Sequence, residues 1–107
     1  AKQITLAANQ TTEIEIPMTD ASRASIVFAA PPGVSATLFD STGAIVGKNT
    51  GGAPESKQMF RTITVEKAVK SGTWKLKLEN KNAADANVIL AAFADPNPLV
   101  LQISAGK

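Results

Sequence analysis

Two acidic side chains have the spacing of a catalytic pair. Glu13 and Glu15 are two residues apart in a segment where apolar and polar residues alternate, so on a strand both carboxylates lie on one face, about 7 Å apart at Cβ. Paired carboxylates can act as acid and base in glycoside hydrolysis. The alternative is a solvated strand face that carries charge against aggregation. Because no His, Tyr or second acidic cluster lies nearby in the sequence, we favour the alternative and expect no enzyme.

Two missing residue types exclude most other site chemistry. The chain contains no His and no Cys, which excludes Ser-His-Asp and Cys-His catalysis, zinc, haem and iron–sulfur ligation, and disulfide bonds within it. An adjacent Ser–Lys pair, Ser56 and Lys57, does not form a nucleophile and base, because neighbouring residues on a strand point apart.

Calcium or magnesium is the metal that oxygen ligands alone could hold here. Asp40 lies in one predicted turn, and the other candidates lie in one polar loop: Asn80, Asn82, Asp85 and Asn87. Each of the two segments supplies a single carboxylate, and Asn and Asp are also the usual residues of turns. We therefore expect no cofactor, and these five residues are the candidates for a weak calcium site.

Four residues are the candidates for contact with a partner. Phe39 and Phe60 are out of phase with the apolar residues of their own strands, so they cover a second apolar layer or one is exposed at a domain contact. Lys75 and Lys77 either touch an anionic polymer or protect a solvated sheet edge. Trp74 shares the parity of apolar residues, so we expect it in the core and not as a platform for sugars.

Composition places the chain among single globular domains. Its 107 residues are 44% hydrophobic and 19% charged, which predicts one domain over residues 1–107. A net charge of +2 is too small to predict a nucleic-acid partner, and no apolar run approaches the roughly 20 residues of a membrane span. The chain starts without Met or a signal peptide, which suggests a mature form or a piece of a longer protein. The Cys-free composition suits a bacterial exported protein and equally allows a cytosolic one.

Alternation with a period of two residues predicts strands almost throughout. Eight or nine short strands separated by turn residues are typical of an all-β fold. Asp40–Gly43 has the residues of a type I turn and predicts a hairpin over residues 34–47. We predict an antiparallel β-sandwich, jelly-roll or immunoglobulin-like. Its predicted core contains Ile14, Ile16, Val27, Leu38, Ile63, Val65, Trp74, Leu76, Leu78 and Leu90.

Two segments resemble a known class of exported modules. Residues 72–79 read GTWKLKLE, similar to the late G-T-W-x-L-x-(L/V) strand of pre-peptidase C-terminal domains, of the P-domains beside subtilisin-like proteases, and of sandwiches that follow von Willebrand A domains. Residues 25–28 and 34–43 are similar to the strand and hairpin of the same modules. The resemblance, over residues 12–93, implies an accessory module without catalytic residues. Pre-peptidase C-terminal domains often carry a calcium-binding acidic stretch where this chain has residues 33–36 without a carboxylate.

These observations predict a non-catalytic accessory or interaction domain of a larger exported protein, either secreted or held at the cell surface or in the periplasm. Its partners would be the neighbouring domains of that protein. One alternative is a module that binds polysaccharide or a cell-surface polymer through loops such as 48–57 and 80–87, which exposed aromatic residues beside the loops would favour. The other is an adhesin or fibre subunit in which an end strand such as 99–103 adds to another chain's sheet.

Overall fold

The computed structural model describes residues 2–50, 60–66, 69–94, 97–99 and 102–103. Within these ranges the regular structure is entirely β, with ten strands and no helix. In chain order the strands are β1 (Lys2–Leu6), β2 (Thr11–Met18), β3 (Ala24–Ala29), β4 (Val34–Phe39), β5 (Ile45–Asn49), β6 (Phe60–Val65), β7 (Gly72–Asn80), β8 (Ala86–Ala94), β9 (Asn97–Leu99) and β10 (Gln102–Ile103). The expectation of an all-β chain is therefore confirmed for the described residues.

The strands form two antiparallel sheets. Sheet I has the order β1-β8-β3-β6, and β9 pairs with β8 beyond the end of β1. Sheet II has the order β10-β2-β7-β4-β5. Four of the pairings join strands from opposite ends of the chain towards its middle: β1 with β8, β2 with β7, β3 with β6 and β4 with β5. This two-sheet arrangement fits a β-sandwich.

The C-terminal segment differs from the single end strand expected over residues 99–103. Asn97–Leu99 pairs with β8 of sheet I, whereas Gln102–Ile103 pairs with β2 of sheet II. The segment therefore crosses from one sheet to the other, and the parts of it that the structure describes are paired within the chain.

One hydrophobic core lies between the two sheets, since buried residues of both belong to a single cluster. Every second residue of the long strands contributes to it, as in β7, where Trp74, Leu76 and Leu78 are buried. Burying each large apolar side chain is worth about 1.5–3 kcal/mol, so this alternation is the main source of stability. Every residue of the predicted core is buried except Val27.

The prediction for Val27 is wrong by one residue. The run of residues 25–29 is almost continuously apolar, so the sequence offered no alternation from which to choose the inward face. In β3 the buried residues are Ile26 and Phe28, while Val27 is half-buried on the outer side. The strand therefore has one face in the core and a half-buried outer face of Ser25, Val27 and Ala29.

A buried arginine in β6 was missed by the sequence analysis. Arg61 shares the inward parity of Ile63, and its guanidinium lies 5.1 Å from the centre of the Phe28 ring. It donates hydrogen bonds to the carbonyls of Val34 at 2.7 Å and Pro31 at 3.0 Å. Burial lowers the pKa of the Arg61 guanidinium, because desolvation penalises its charged form. The side chain thereby fastens the β3–β4 turn to β6.

Two glycines with almost the same backbone conformation have very different surroundings. The φ angles of Gly33 and Gly43 are +91° and +90°, in the region that L side chains rarely adopt. A Cβ atom added at Gly33 would overlap the side-chain amide of Asn82, whereas one added at Gly43 would meet nothing within 4 Å. Close approach to Asn82 therefore requires glycine at position 33 in addition to its φ angle.

We expect Gly33→Ala to destabilise the domain more than Gly43→Ala. Both variants lose about 1–2 kcal/mol through backbone strain. Gly33→Ala must also displace Asn82, which donates to the Pro32 carbonyl at 2.8 Å, for a further loss of about 1–3 kcal/mol. Urea unfolding of the two variants measures the difference. Equal losses would show that the contact between Gly33 and Asn82 does not constrain the fold.

Candidate functional site

Among the described strand residues of sheet I, no charged side chain lies on the outer face. The alternation of β1, β3, β6 and β8 turns twelve residues away from the core. We call this set the uncharged face: Gln3, Thr5, Ser25, Val27, Ala29, Phe60, Thr62, Thr64, Asn87, Ile89, Ala91 and Phe93. Charged residues normally occupy many of the solvated positions of a sheet. A continuous uncharged area across four strands is therefore a candidate contact surface.

The two large apolar side chains that are exposed on the uncharged face lie in one row across its strands. The register places Ala29 of β3 between Ile89 of β8 and Phe60 of β6. Phe60 is 76% exposed and Ile89 is 49% exposed. Val27 and Ala91 are opposite each other in the next outward row. Covering exposed groups of this size is favourable by roughly 1.5–3 kcal/mol each, so this row would gain stability from a partner.

Charged residues lie at both ends of the strands that form the uncharged face. Arg23 precedes β3 and Glu66 follows β6 at one end of the sheet, next to the last pair of those strands, Ala24 and Val65. At the other end, Asp85 precedes β8. All three charged residues are exposed. Charged residues at both ends therefore bound the uncharged face along the strand direction.

The outer face of sheet II has the opposite character. Its central strand β7 turns Lys75, Lys77 and Glu79 outward, and β2 beside it presents Glu13 and Glu15. The register sets Glu15 opposite Lys75 and Glu13 opposite Lys77, and opposite charges on facing residues stabilise a sheet. The two lysines are therefore matched by carboxylates. They lie on a central strand, so the interpretation of this strand as a lysine-protected edge is wrong.

The two phenylalanines that are out of phase in the sequence lie on different outer faces. Phe60 belongs to the uncharged face. Phe39 ends β4 on the outer face of sheet II, where it is half-buried opposite Lys75 of β7 and Ile45 of β5. The four predicted contact residues are therefore not brought together: Phe60 is on one side of the molecule, and Phe39, Lys75 and Lys77 are on the other.

Among the calcium candidates, Asn80 is a buried structural group. It is the last residue of β7 and is fully buried, so its placement in an exposed loop is wrong. Its side-chain nitrogen donates to the carbonyls of Leu6, Ala7 and Ala84 at 2.9–3.2 Å. Its side-chain oxygen accepts a bond from the Asn82 backbone N–H at 3.0 Å. One amide thereby joins the β1–β2 turn to the β7–β8 loop.

Asp40 uses one carboxylate oxygen within its own turn. Oδ1 of Asp40 accepts hydrogen bonds from the hydroxyl and backbone N–H of Thr42 and from the N–H of Ala44, at 2.6–3.0 Å. The Thr42 hydroxyl is the main cause of the lowered pKa of the Asp40 carboxyl, with smaller contributions from the backbone donors. The carboxylate therefore holds the β4–β5 turn in shape.

The remaining calcium candidates have separate partners. The side-chain amide of Asn82 donates to the Pro32 carbonyl, and that of Asn87 accepts a bond from the Thr5 hydroxyl at 2.8 Å. Asp85 is exposed. Within the ranges that the structure describes, no three acidic side chains come together at a point where they could hold a cation.

The indole of Trp74 is buried, as predicted. It is 4% exposed, and its Nε1 donates to the Lys70 carbonyl at 3.2 Å, so it offers no surface for a sugar. Residues 81–85, between β7 and β8, contain no aromatic side chain. Of the other predicted binding loop, Lys48 and Asn49 belong to β5, and residues 51–57, including Ser56 and Lys57, lie outside the described residues.

Comparison with known proteins adds no assignment to this geometry. A scan against protein-family models matches no family, and a search of curated proteins finds none that is similar. In the part of the chain that the structure describes, no helix is long and apolar enough to cross a membrane. The function is therefore inferred from the chemistry of the two outer faces.

We expect Asn80→Ala to destabilise the domain by about 2–3 kcal/mol, because the carbonyls of Leu6, Ala7 and Ala84 lose their donor and the first of these bonds is buried. The matched variant Asn87→Ala removes one exposed bond to Thr5, and we expect a loss of about 0.5 kcal/mol or less. Denaturant unfolding followed by the fluorescence of Trp74 measures both. Similar losses for the two variants would contradict the role assigned to Asn80.

Proposed function

We propose that this chain is a non-catalytic interaction domain of a larger exported protein, in which the uncharged face packs against a neighbouring domain. The contrast between the two outer faces carries the proposal. The uncharged face has no charge among its twelve residues, although charged residues are 19% of the chain. The outer face of sheet II carries six: Glu13, Glu15, Lys48, Lys75, Lys77 and Glu79.

The size of the uncharged face favours a covalently linked partner over a second free protein. Four strands about 4.8 Å apart and about six residues long cover roughly 400 Å², so a flat contact buries roughly 800 Å² on the two partners together. Stable complexes of free proteins bury roughly 1,200–2,000 Å², while domains of one chain use interfaces of roughly 600–1,500 Å². A linker raises the effective concentration of the partner, so the smaller area suffices.

The side chains around the apolar row define what the partner must present. Hydroxyl and amide groups such as those of Thr62, Thr64 and Gln3 can satisfy polar groups of the partner, but they cannot neutralise a buried charge. Burying an unpaired charge costs several kcal/mol. The surface that fits is therefore uncharged with an apolar centre, which favours a protein domain over a nucleic acid or an anionic membrane.

We further propose that the two-sheet fold is a jelly roll. The four pairings that join β1 with β8, β2 with β7, β3 with β6 and β4 with β5 describe one long antiparallel hairpin rolled into two sheets. This topology and the Gly-Thr-Trp sequence that begins β7 support a relationship to the accessory modules that the sequence resembles. A Cys-free chain suits the secreted, periplasmic or cell-surface location of such modules.

The rival functions have less support. The carboxylate pair of Glu13 and Glu15 faces Lys77 and Lys75 on an open sheet surface, which is an ordinary arrangement of cross-strand charges. Strand addition needs a free end strand, whereas Asn97–Leu99 is paired with β8. Polysaccharide binding has one feature in its favour, a cleft on the outer face of sheet II.

A lysine placed within the uncharged face tests the proposal. Thr62 is exposed in the middle of β6, and Thr11 is an exposed threonine on the outer face of sheet II, opposite Glu79. In the protein as its source cells make it, we expect Thr62→Lys to lower the thermal midpoint by about 3 °C or more, because the new charge is buried at the domain contact. Thr11→Lys should change it by less than about 1 °C.

The 107-residue chain alone serves as the second control, since neither lysine has a contact to disrupt there. Both variants should then melt within about 1 °C of the parent. The proposal fails if Thr62→Lys is as harmless as Thr11→Lys in the native protein. It also fails if Thr62→Lys destabilises the isolated chain to the same extent as the native protein.

A further inference from the structure

A cleft of about 340 Å³ opens on the outer face of sheet II, beside the turn between β4 and β5. Side chains of β2, β4 and β7 and of the turn line it, and those that carry the argument are Glu13, Phe39, Ser41, Thr42, Thr73 and Lys75. The volume is at the lower end of the roughly 300–1,000 Å³ found for ligand pockets. The cleft is on the side of the sandwich opposite the uncharged face, so a domain docked there leaves it open.

The lining combines an aromatic ring with both donors and acceptors of hydrogen bonds. The half-buried ring of Phe39 supplies a rigid apolar wall. Lys75 provides an ammonium donor and Glu13 provides a carboxylate acceptor. The hydroxyls of Ser41 and Thr73 can act as either, while that of Thr42 already donates to Asp40. A lining that is polar around one aromatic ring suits a ligand that has both hydroxyl groups and an apolar face.

The wall formed by the turn is fixed before any ligand binds. The Asp40 carboxylate accepts the Thr42 hydroxyl at 2.6 Å, and the Asp40 carbonyl accepts the Gly43 N–H at 3.0 Å. A Cβ atom at Gly72 would lie 2.8 Å from Cβ of Ser41, so the start of β7 lies close against the turn. A wall that is already ordered lowers the entropy lost on binding.

The charges of the lining are mixed in sign and favour a neutral ligand. An anion such as phosphate would meet the carboxylates of Glu13 and Asp40, and a cation would meet the ammonium of Lys75. A neutral polyol avoids both repulsions, because one sugar hydroxyl can accept from an ammonium and donate to a carboxylate at the same time. The C–H face of a sugar ring is apolar and can pack against an aromatic ring.

We propose that this cleft binds one neutral sugar ring of an extended polysaccharide. Phe39 contacts the face of the ring, Lys75 and Glu13 bind its hydroxyls, and the rest of the polymer lies in solvent along the open sheet. The strands that form the cleft also supply two matched controls. Lys77 and Glu15 are on the same strands and the same face as Lys75 and Glu13, but they do not line the cleft.

The test is titration of the ¹⁵N-labelled chain with cellotriose, chitotriose, mannotriose and xylotriose. We expect at least one of them to shift the amide signals of Thr42, Gly43 and Lys75, with a dissociation constant in the millimolar range that suits a single ring. Lys75→Gln and Glu13→Gln should each weaken that affinity at least about tenfold, whereas Lys77→Gln and Glu15→Gln should change it less than about twofold.

A second pair of variants covers the aromatic contact. Phe39→Ala should abolish the shifts, while Phe60→Ala, which removes a phenylalanine from the opposite side of the molecule, should leave them intact; the spectrum of each free variant reports whether it is folded. The proposal is overturned if none of the four sugars shifts those amides at about 20 mM. It is also overturned if the control variants lose as much affinity as the cleft variants. Neither result bears on the uncharged face.

Discussion

Alternation of side chains along every strand is the constraint on which this molecule depends. Neighbouring residues point to opposite faces, so each strand that gives one set of residues to the core commits the other set to the outside. A shift of one residue in β7 would bury Lys75 and Lys77 and expose Leu76 and Leu78. The register is therefore strongly fixed, and with it the composition of both outer faces. The outer residues, which the core leaves free to vary, are those proposed to contact a neighbouring domain and a sugar.

Two buried polar side chains donate hydrogen bonds to backbone carbonyls that have no partner within the sheets. Carbonyls in turns have no partner in a ladder and must find a donor elsewhere when they are buried. Arg61 donates to the β3–β4 turn, and Asn80 donates to the β1–β2 turn and the β7–β8 loop. Asn82 adds a bond to the Pro32 carbonyl. The β3–β4 turn is thus hydrogen-bonded by both Arg61 and Asn82.

The buried face of a strand could be predicted only where the residues of that strand alternate between apolar and polar. β7 alternates lysines with large apolar residues, so its buried face followed from the sequence; the apolar run around Val27 did not alternate, and its face was assigned wrongly. Arg61 and Asn80 occupy inward-facing positions of their strands. Charged and amide side chains are mostly exposed in proteins, so neither residue was predicted to be buried. The uncharged face could not be predicted at all, because its four strands are distant in the sequence and become neighbours only through the sheet order.

Whether the uncharged face is covered in the native protein can be measured by the accessibility of its residues. The chain has no Cys, so Thr62→Cys and Thr11→Cys each add one thiol to these 107 residues, one in the uncharged face and one on the outer face of sheet II. The account predicts that in the native protein a maleimide reacts with position 62 at least about tenfold more slowly than with position 11, and that the rates are similar in the 107-residue chain. Equal rates in the native protein would contradict it.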